Sequence, residues 1–169
     1  MAGPFELHLI RHAIAAERGD AWPDDAKRPL TDEGIDRMRK AARGLARLDV
    51  TLDLIFSSPL VRARQTAEIV AAALASRPAM VIIDSLAPGS GYPALIADLE
   101  KQAKRTRVAL VGHEPGLGEL AARLIGSRHG IEFKKGAICR IDVDEIPPSG
   151  PGHLRWFLTP RMLRAVKKP

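Results

Sequence analysis

The 169-residue chain carries one cysteine, Cys139, so it closes no internal disulfide and assembles no cysteine-cluster metal site. Aromatic residues make up only 4%, too few for a base-stacking surface, and no zinc-finger or RNA-recognition signature is present; nucleic acid is therefore not an expected partner. No apolar run approaches the roughly 18 residues that a membrane span needs. The longest obvious stretch is Ile69 to Ala75, and Glu6 and His8 interrupt any signal-peptide apolar region near the N-terminus. These absences predict a cytoplasmic protein with no membrane association. Acidic residues are the minority charge, 20 against 26 Lys and Arg, and the net +6 favours an anionic partner. A small phosphorylated ligand or a phosphoprotein satisfies that charge. The clustered cations themselves (Arg37, Arg39, Lys40, Arg43, Arg47; Lys101, Lys104, Arg105, Arg107) fall at spacings suited to solvated helix faces.

What is present is an alternation of short β-like runs and longer helical ones, the pattern of an α/β protein with a mostly parallel sheet. Phe5 to Arg11 reads as a strand, followed by a polar loop from about Ala16 to Pro29. Thr31 is placed as an N-cap, with Asp32 and Glu33 in the first turn, ahead of a helical stripe from Ile35 to Leu48. Leu52 to Ser57 is a second strand, and Ser58-Pro59 reads as N-cap and first helical residue of a helix to about Ser76. Met80 to Asp84 is a third strand, Leu86 to Pro93 a loop, and Ala94 to Lys104 a helix. Val108 to Val111 is an apolar strand of the kind buried on both faces, and Gly112 to Pro115 leads into a helix to about Gly126. Two further strands, Ala137 to Val143 and His153 to Leu158, precede a basic tail from about residue 160 that ends in a short helix. No repeat or low-complexity segment divides the chain, so residues 1–169 are expected to form one domain.

In a parallel α/β sheet, ligands bind outside the carboxyl ends of the strands. Three strands here end in reactive residues: Arg11-His12 after the first, Ser57-Ser58-Pro59 with Arg62 one turn on after the second, and Gly112-His113 after the fourth. Arginine's planar fork suits phosphate oxygens, and a histidine serves as neutral nucleophile or charged donor near neutral pH. The four side chains together point to phosphoryl transfer through a histidine. Arg64 competes with Arg62 but points about 200° around the helix from it. Arg11 and His12 alternate in direction along a strand, so a bend at the strand end is expected to let both reach the site. His8 reads as a polar residue within the sheet, and Cys139 as a small core filler.

At these residues the sequence resembles the histidine phosphatase (phosphoglycerate mutase-like) superfamily. Leu9-Ile10-Arg11-His12-Ala13 matches its first-strand tripeptide motif. Ser57-Ser58-Pro59-Leu60-Val61-Arg62-Ala63-Arg64-Gln65-Thr66-Ala67, Val111-Gly112-His113-Glu114-Pro115 and Arg28-Pro29-Leu30-Thr31-Asp32-Glu33-Gly34 match three more motifs, in order and at the expected intervals. The short chain and its closing Trp156-Phe157-Leu158-Thr159-Pro160-Arg161 are similar to SixA-type phosphohistidine phosphatases. The resemblance implies a three-layer α/β/α sandwich in which His12 attacks phosphorus and becomes a covalent phosphohistidine. It makes Arg11 and Arg62 holders of the equatorial oxygens and His113 an imidazolium that stabilises the phosphoryl group. It implies inorganic phosphate as product and neither cofactor nor metal. The substrate it suggests is phosphohistidine on a signalling protein, the alternative being a small phosphorylated metabolite.

Two departures from the family pattern stand out. Ala13 replaces the usual glycine, which adopts positive φ more readily. Leu86-Ala87-Pro88-Gly89 carries no carboxylate where many relatives have a Glu that protonates a departing alcohol. An alkoxide leaving group gains about 10²–10⁴-fold from a positioned acid. An imidazole, with a reference pKa of about 6.5, departs more easily without one. Glu17, Asp20, Asp24 and Asp25, on the loop after His12, are candidate substitutes for that acid. Two other classes compete with the phosphatase reading. His12 and His113 could converge on zinc, although no His-x-x-x-His or carboxylate spacing completes a three-ligand site. The same pocket without turnover would make a non-catalytic phosphoprotein-binding module.

Overall fold

Alternation along the first strand divides the interior into two cores, because successive side chains leave a strand on opposite faces. Leu7 and Leu9 enter one core and Ile10 the other. In the computed structural model, which describes residues 4–168, six strands form one sheet. They are β1 (Phe5–Arg11), β2 (Leu54–Ser57), β3 (Ala79–Ile82), β4 (Arg107–Gly112), β5 (Ile138–Val143) and β6 (His153–Leu158). The order is β3-β2-β4-β1-β5-β6; β3, β2, β4 and β1 run parallel, and β5 and β6 add an antiparallel edge.

Among the described residues five α-helices cover the two faces: α1 (Asp32–Arg47), α2 (Val61–Ala73), α3 (Tyr92–Glu100), α4 (Gly116–Ile125) and α5 (Pro160–Ala165). Leu95, Leu99, Leu117 and Leu124 of α3 and α4 pack with Leu9, Phe56 and Leu110 of the sheet. Met38, Leu45, Ala63, Val70 and Leu163 of α1, α2 and α5 pack with Ile10, Ile55 and Val111 on the other side. The result is a three-layer α/β/α sandwich: the mostly parallel α/β sheet follows the alternating pattern, and the three layers are those the family resemblance implied.

Local signals place most element starts. The Thr31 hydroxyl accepts the Gly34 amide at 2.9 Å and caps α1, and Thr159 caps α5 through the Met162 amide. Several boundaries differ from expectation. Ser58 does not cap α2, which begins at Val61 after Leu60 with no side-chain cap. Its amide instead extends the parallel ladder by donating to Val111 O at 3.0 Å, so sheet pairing overrides the local Ser-Pro signal. β2 starts at Leu54 rather than Leu52, whose amide is taken by Ser76 Oγ at 3.2 Å. β3 spans 79–82 rather than 80–84. α3 spans 92–100 rather than 94–104, because Pro93 sits in its first turn, where the missing N–H costs nothing.

The basic C-terminal residues do not dangle. Leu163 is fully buried, and α5 lies on α1 so closely that a Cβ on Gly44 would overlap the Leu163 carbonyl oxygen. Arg47 Nη1 donates to Val166 O at 2.7 Å and holds the end of the tail. Cys139 is fully buried in the sheet, and burial pushes its thiol up to about 12, so it packs as a small apolar residue. His8 is a buried sheet residue whose ring lies 5.6 Å from that of Trp156. No helix is long and apolar enough to cross a membrane among the described residues.

Candidate active site

The parallel pairing of β1 with β4 sets Arg11 beside Gly112, so the next residues, His12 and His113, leave the sheet side by side. Their ring centroids are 5.1 Å apart. The His12 amide donates to Gly112 O at 3.1 Å, and the Ser58 amide to Val111 O at 3.0 Å, which brings the end of β2 to the same edge.

His12 is held in one orientation by its own backbone. Its Nδ1 lies 2.7 Å from Ala13 O. A carbonyl oxygen only accepts, so Nδ1 carries the proton and Nε2 keeps a free lone pair. The Ala13 amide donates to Thr66 Oγ1 at 3.0 Å, and the Thr66 hydroxyl donates to Arg62 O at 2.7 Å. Ala13, whose carbonyl orients His12, is thereby tied through its amide to the helix turn that carries Arg62. Ala13 is absent from the described residues with positive φ, so the turn after His12 tolerates alanine without strain. Burial lowers the His12 pKa to about 3, with the Ala13 hydrogen bond opposing and His113, Arg62 and Arg11 adding to the drop. The ring is neutral at physiological pH.

His113 Nε2 lies 2.7 Å from Ser58 Oγ, which also accepts the Leu60 amide at 3.3 Å. Its Nδ1 is buried without a hydrogen-bond partner. Burial, then the Arg62 charge, pushes His113 down to about 4, with Asp25 pulling the other way. The imidazolium expected here is therefore not the resting form. The unliganded ring is neutral at pH 7, and a charged ring requires added negative charge beside it.

Arg62 is buried, whereas Arg64 is exposed, as the helical spacing required. Arg62 Nη1 donates to Asp25 O at 2.8 Å and Nη2 to Asp25 Oδ2 at 2.9 Å, while its Nε is buried and unpaired. Arg28, also buried, donates from Nε to Asp25 Oδ1 at 2.9 Å and from Nη1 to Ala16 O at 2.6 Å. Arg11 Nη1 donates to Phe133 O at 2.6 Å, and its buried Nε is unpaired.

Arg11, His12, Arg62 and His113 all line one cavity of about 400 Å³, together with Ala15, Ala16, Glu17, Arg18, Arg28, Pro88, Glu114 and Lys135. Arg11 and His12 thus reach the same space despite being neighbours in sequence. Five cationic side chains against two carboxylates make it a site for an anion. Of the four candidate acids, only Glu17 lines the cavity. Asp25 is the acceptor of Arg62 and Arg28; burial raises its pKa, but those hydrogen bonds outweigh it and keep the carboxyl below its ordinary range. It is ionised and unsuited to donating a proton. Asp24 caps a short turn through the Ala26 amide at 3.0 Å, and Asp20 is exposed outside the cavity. Pro88 confirms that the stretch lacking a carboxylate borders the site.

Sequence reasoning assigned no role to Arg28, Glu114 or Lys135, and only that of an N-cap to the Ser58 hydroxyl. Glu114 had a signal in its position next to His113. Burial raises its pKa, with Arg11 opposing, and Oε1 accepts the Gly118 amide at 3.0 Å. Lys135 had none, because it arrives from a loop far along the chain. No three His, Cys, Asp or Glu side chains cluster as a metal site would require among the described residues.

The sequence profile of the histidine phosphatase superfamily (branch 1) matches residues 7–86. An uncharacterised protein of Picosynechococcus sp. is 41% identical over 138 residues, covering 79% of this chain and 82% of that one. The phosphohistidine phosphatase SixA of Escherichia coli is 30% identical over 165 residues, covering 96% of this chain and 99% of that one. A solved structure of the protein histidine phosphatase SixA complexed with tungstate superposes with a TM-score of 0.82 at 28% identity, over 93% of this chain and 98% of that one.

Proposed function

The chain belongs to the histidine phosphatase superfamily and is a phosphatase of the SixA type; from that membership we propose that it removes the phosphoryl group from phosphohistidine on a signalling protein. The observation that carries the reading is the hydrogen bond from His12 Nδ1 to Ala13 O at 2.7 Å, which leaves Nε2 unprotonated in a cavity walled by Arg11, Arg62 and His113.

In the proposed reaction His12 Nε2 attacks phosphorus, and the P–N bond to the substrate imidazole breaks as the new P–N bond forms. The departing ring nitrogen takes a proton from solvent or from a cavity carboxylate. Arg11 and Arg62 hold the equatorial oxygens with donors aimed at the charge that develops there. The arriving phosphoryl charge raises the His113 pKa, so that this ring becomes a charged donor only when the substrate is bound. Water then attacks the phosphoryl group on His12, releasing inorganic phosphate and restoring the neutral imidazole. Neither a cofactor nor a metal takes part.

The lack of a carboxylate from Leu86 to Gly89, beside the cavity at Pro88, supports an imidazole rather than an alkoxide as leaving group. A cytoplasmic location accords with the single free thiol. The test compares phosphate release from a phosphohistidine-bearing protein and from phosphate monoesters, in wild type and His12→Ala, with a chelator present. Preference for phosphohistidine, lost in the variant and indifferent to the chelator, is the expected outcome. Preference for esters would overturn the substrate, and wild-type rates in His12→Ala would overturn the nucleophile.

A further inference from the structure

A second cavity, of about 450 Å³, opens beside the first and shares Arg11 and Lys135 with it. Its walls come from α1, from the loop before β5 and from α5, the short helix expected in the basic C-terminal tail. Arg37, Lys134, Lys135, Arg161 and Arg164 face it, against the single carboxylate of Glu132. Arg37 is paired with Glu33. Lys134, Lys135, Arg161 and Arg164 have no carboxylate within ion-pair distance among the described residues. Unpaired like charges repel, so keeping them around one concavity costs stability unless an anionic partner neutralises them.

The groove is also prebuilt. The Gly136 amide donates to both Arg11 O and His12 O at 3.1 Å, and Arg11 Nη1 holds Phe133 O, which ties the lysine-bearing loop to the end of β1. Leu163 seated against Gly44 fixes α5, and with it Arg161 and Arg164, on α1. A partner therefore meets a formed cationic surface and does not have to order it.

We propose that this groove docks an acidic segment of the phosphorylated protein substrate, next to the phosphohistidine that enters the adjoining cavity. The proposal rests on the phosphohistidine reading for what occupies the adjoining cavity. The lining favours protein over nucleic acid: its one aromatic residue, Phe133, is fully buried, which leaves no ring for bases to stack on. Because Lys134, Lys135 and Arg161 are exposed and Arg164 is half-buried, docking acts on encounter and KM, is screened by salt, and leaves the chemical step alone.

The decisive measurement is binding of a fluorescent, phosphate-free Asp/Glu-rich peptide, which needs no turnover. Wild type and His12→Ala should bind it equally, more weakly as salt rises, and the triple charge reversal Lys134→Glu/Arg161→Glu/Arg164→Glu should lose at least about tenfold in affinity. The milder Arg161→Ala/Arg164→Ala variant should lose part of it. The reversal should raise KM for a phosphohistidine protein by a similar factor and leave hydrolysis of free phosphohistidine unchanged, which also reports that the variant is folded. Equal peptide binding by wild type and reversal variant would overturn the proposal. So would tighter binding of a single-stranded oligonucleotide or of phosphatidylserine vesicles than of the peptide. Failure of the phosphatase reading would show separately, as no phosphate release by wild type from any phosphohistidine substrate.

Discussion

One carboxylate, that of Asp25, bridges two buried arginines: Oδ2 lies 2.9 Å from Arg62 Nη2 and Oδ1 lies 2.9 Å from Arg28 Nε. A phosphoryl group gripped by Arg62 must share or replace that contact. Asp25→Asn should therefore strengthen binding of inorganic phosphate several-fold while weakening the unliganded fold. Losing one partner of a buried pair costs about 3–5 kcal/mol, but this carboxylate is 44% exposed, so the expected loss is discounted to about 1–2 kcal/mol. Thermal melts with and without phosphate check both; equal phosphate stabilisation of wild type and variant would rule out the competition.

Burial lowers three histidines below the ordinary 6.5, His8 and His113 to about 4 and His12 to about 3. A lowered histidine pKa means that the unfolded chain takes up protons more readily, so stability is full above about 6.5 and falls as pH drops toward the folded values. Each ring should contribute about 1.4 kcal/mol per pH unit in that window. Urea titrations between pH 7.5 and 4.5 measure the slope, and His8→Leu should remove about one ring's share without touching the active site. An unchanged slope in that variant would contradict the burial argument.

The Ser58 hydroxyl, 2.7 Å from His113 Nε2, fixes the ring that faces His12. Ser58→Ala should lower kcat by about tenfold with little change in KM, the loss expected for one orienting hydrogen bond. Nuclear magnetic resonance titration should show His113 moving upward when phosphate is added to wild type, and less so in the variant. A rise in KM alone would assign Ser58 to substrate binding.

Glu114 lines the site with a pKa raised by burial, so its carboxyl holds a proton more readily than an ordinary glutamate. Glu114→Gln should slow hydrolysis of phosphate esters by about 10²-fold or more, and of phosphohistidine far less, because only the alkoxide needs the acid. Equal losses on both substrates would point to a structural role through the Gly118 amide.

Gly44→Ala pits two effects of opposite sign. Alanine gains about 1 kcal/mol of helix propensity over glycine. Its Cβ, however, would overlap the Leu163 backbone, and forcing that contact costs about 1–3 kcal/mol or more because backbone does not yield like a side-chain tip. Net destabilisation is expected, with faster hydrogen exchange in residues 160–168. A stabilised variant with an unchanged tail would show that α5 sits less firmly than its packing indicates.

The convergence of Arg11, His12, Arg62 and His113 on one cavity was legible in the sequence, because each lies at or shortly after the end of a strand whose pattern was plain and a parallel sheet gathers such ends at one edge. Thr31 was legible too, as a cap that acts on its own next turn. What was not legible is long-range or decided by competition. Ser58-Pro59 carries a sound capping signal, yet the β4 ladder took the Ser58 amide and the hydroxyl went to His113. Asp25 reads as one of four loop acids until Arg62, 37 positions away, claims it. The C-terminal segment reads only as a basic tail with a short helix, because nothing local says that Leu163 will be buried against Gly44.

The β1–β4 register sets Arg11 beside Gly112 and so His12 beside His113. The two rings meet because, counted from the paired Glu6 and Arg107, both strands reach their histidine after the same number of residues. Inserting or deleting a single residue within 6–10 or 107–112 would keep Arg11, His12, Arg62 and His113 in the sequence and still break the pair. The loop between β5 and β6, which no such count depends on, is where length can drift among descendants of this chain without loss of the reaction.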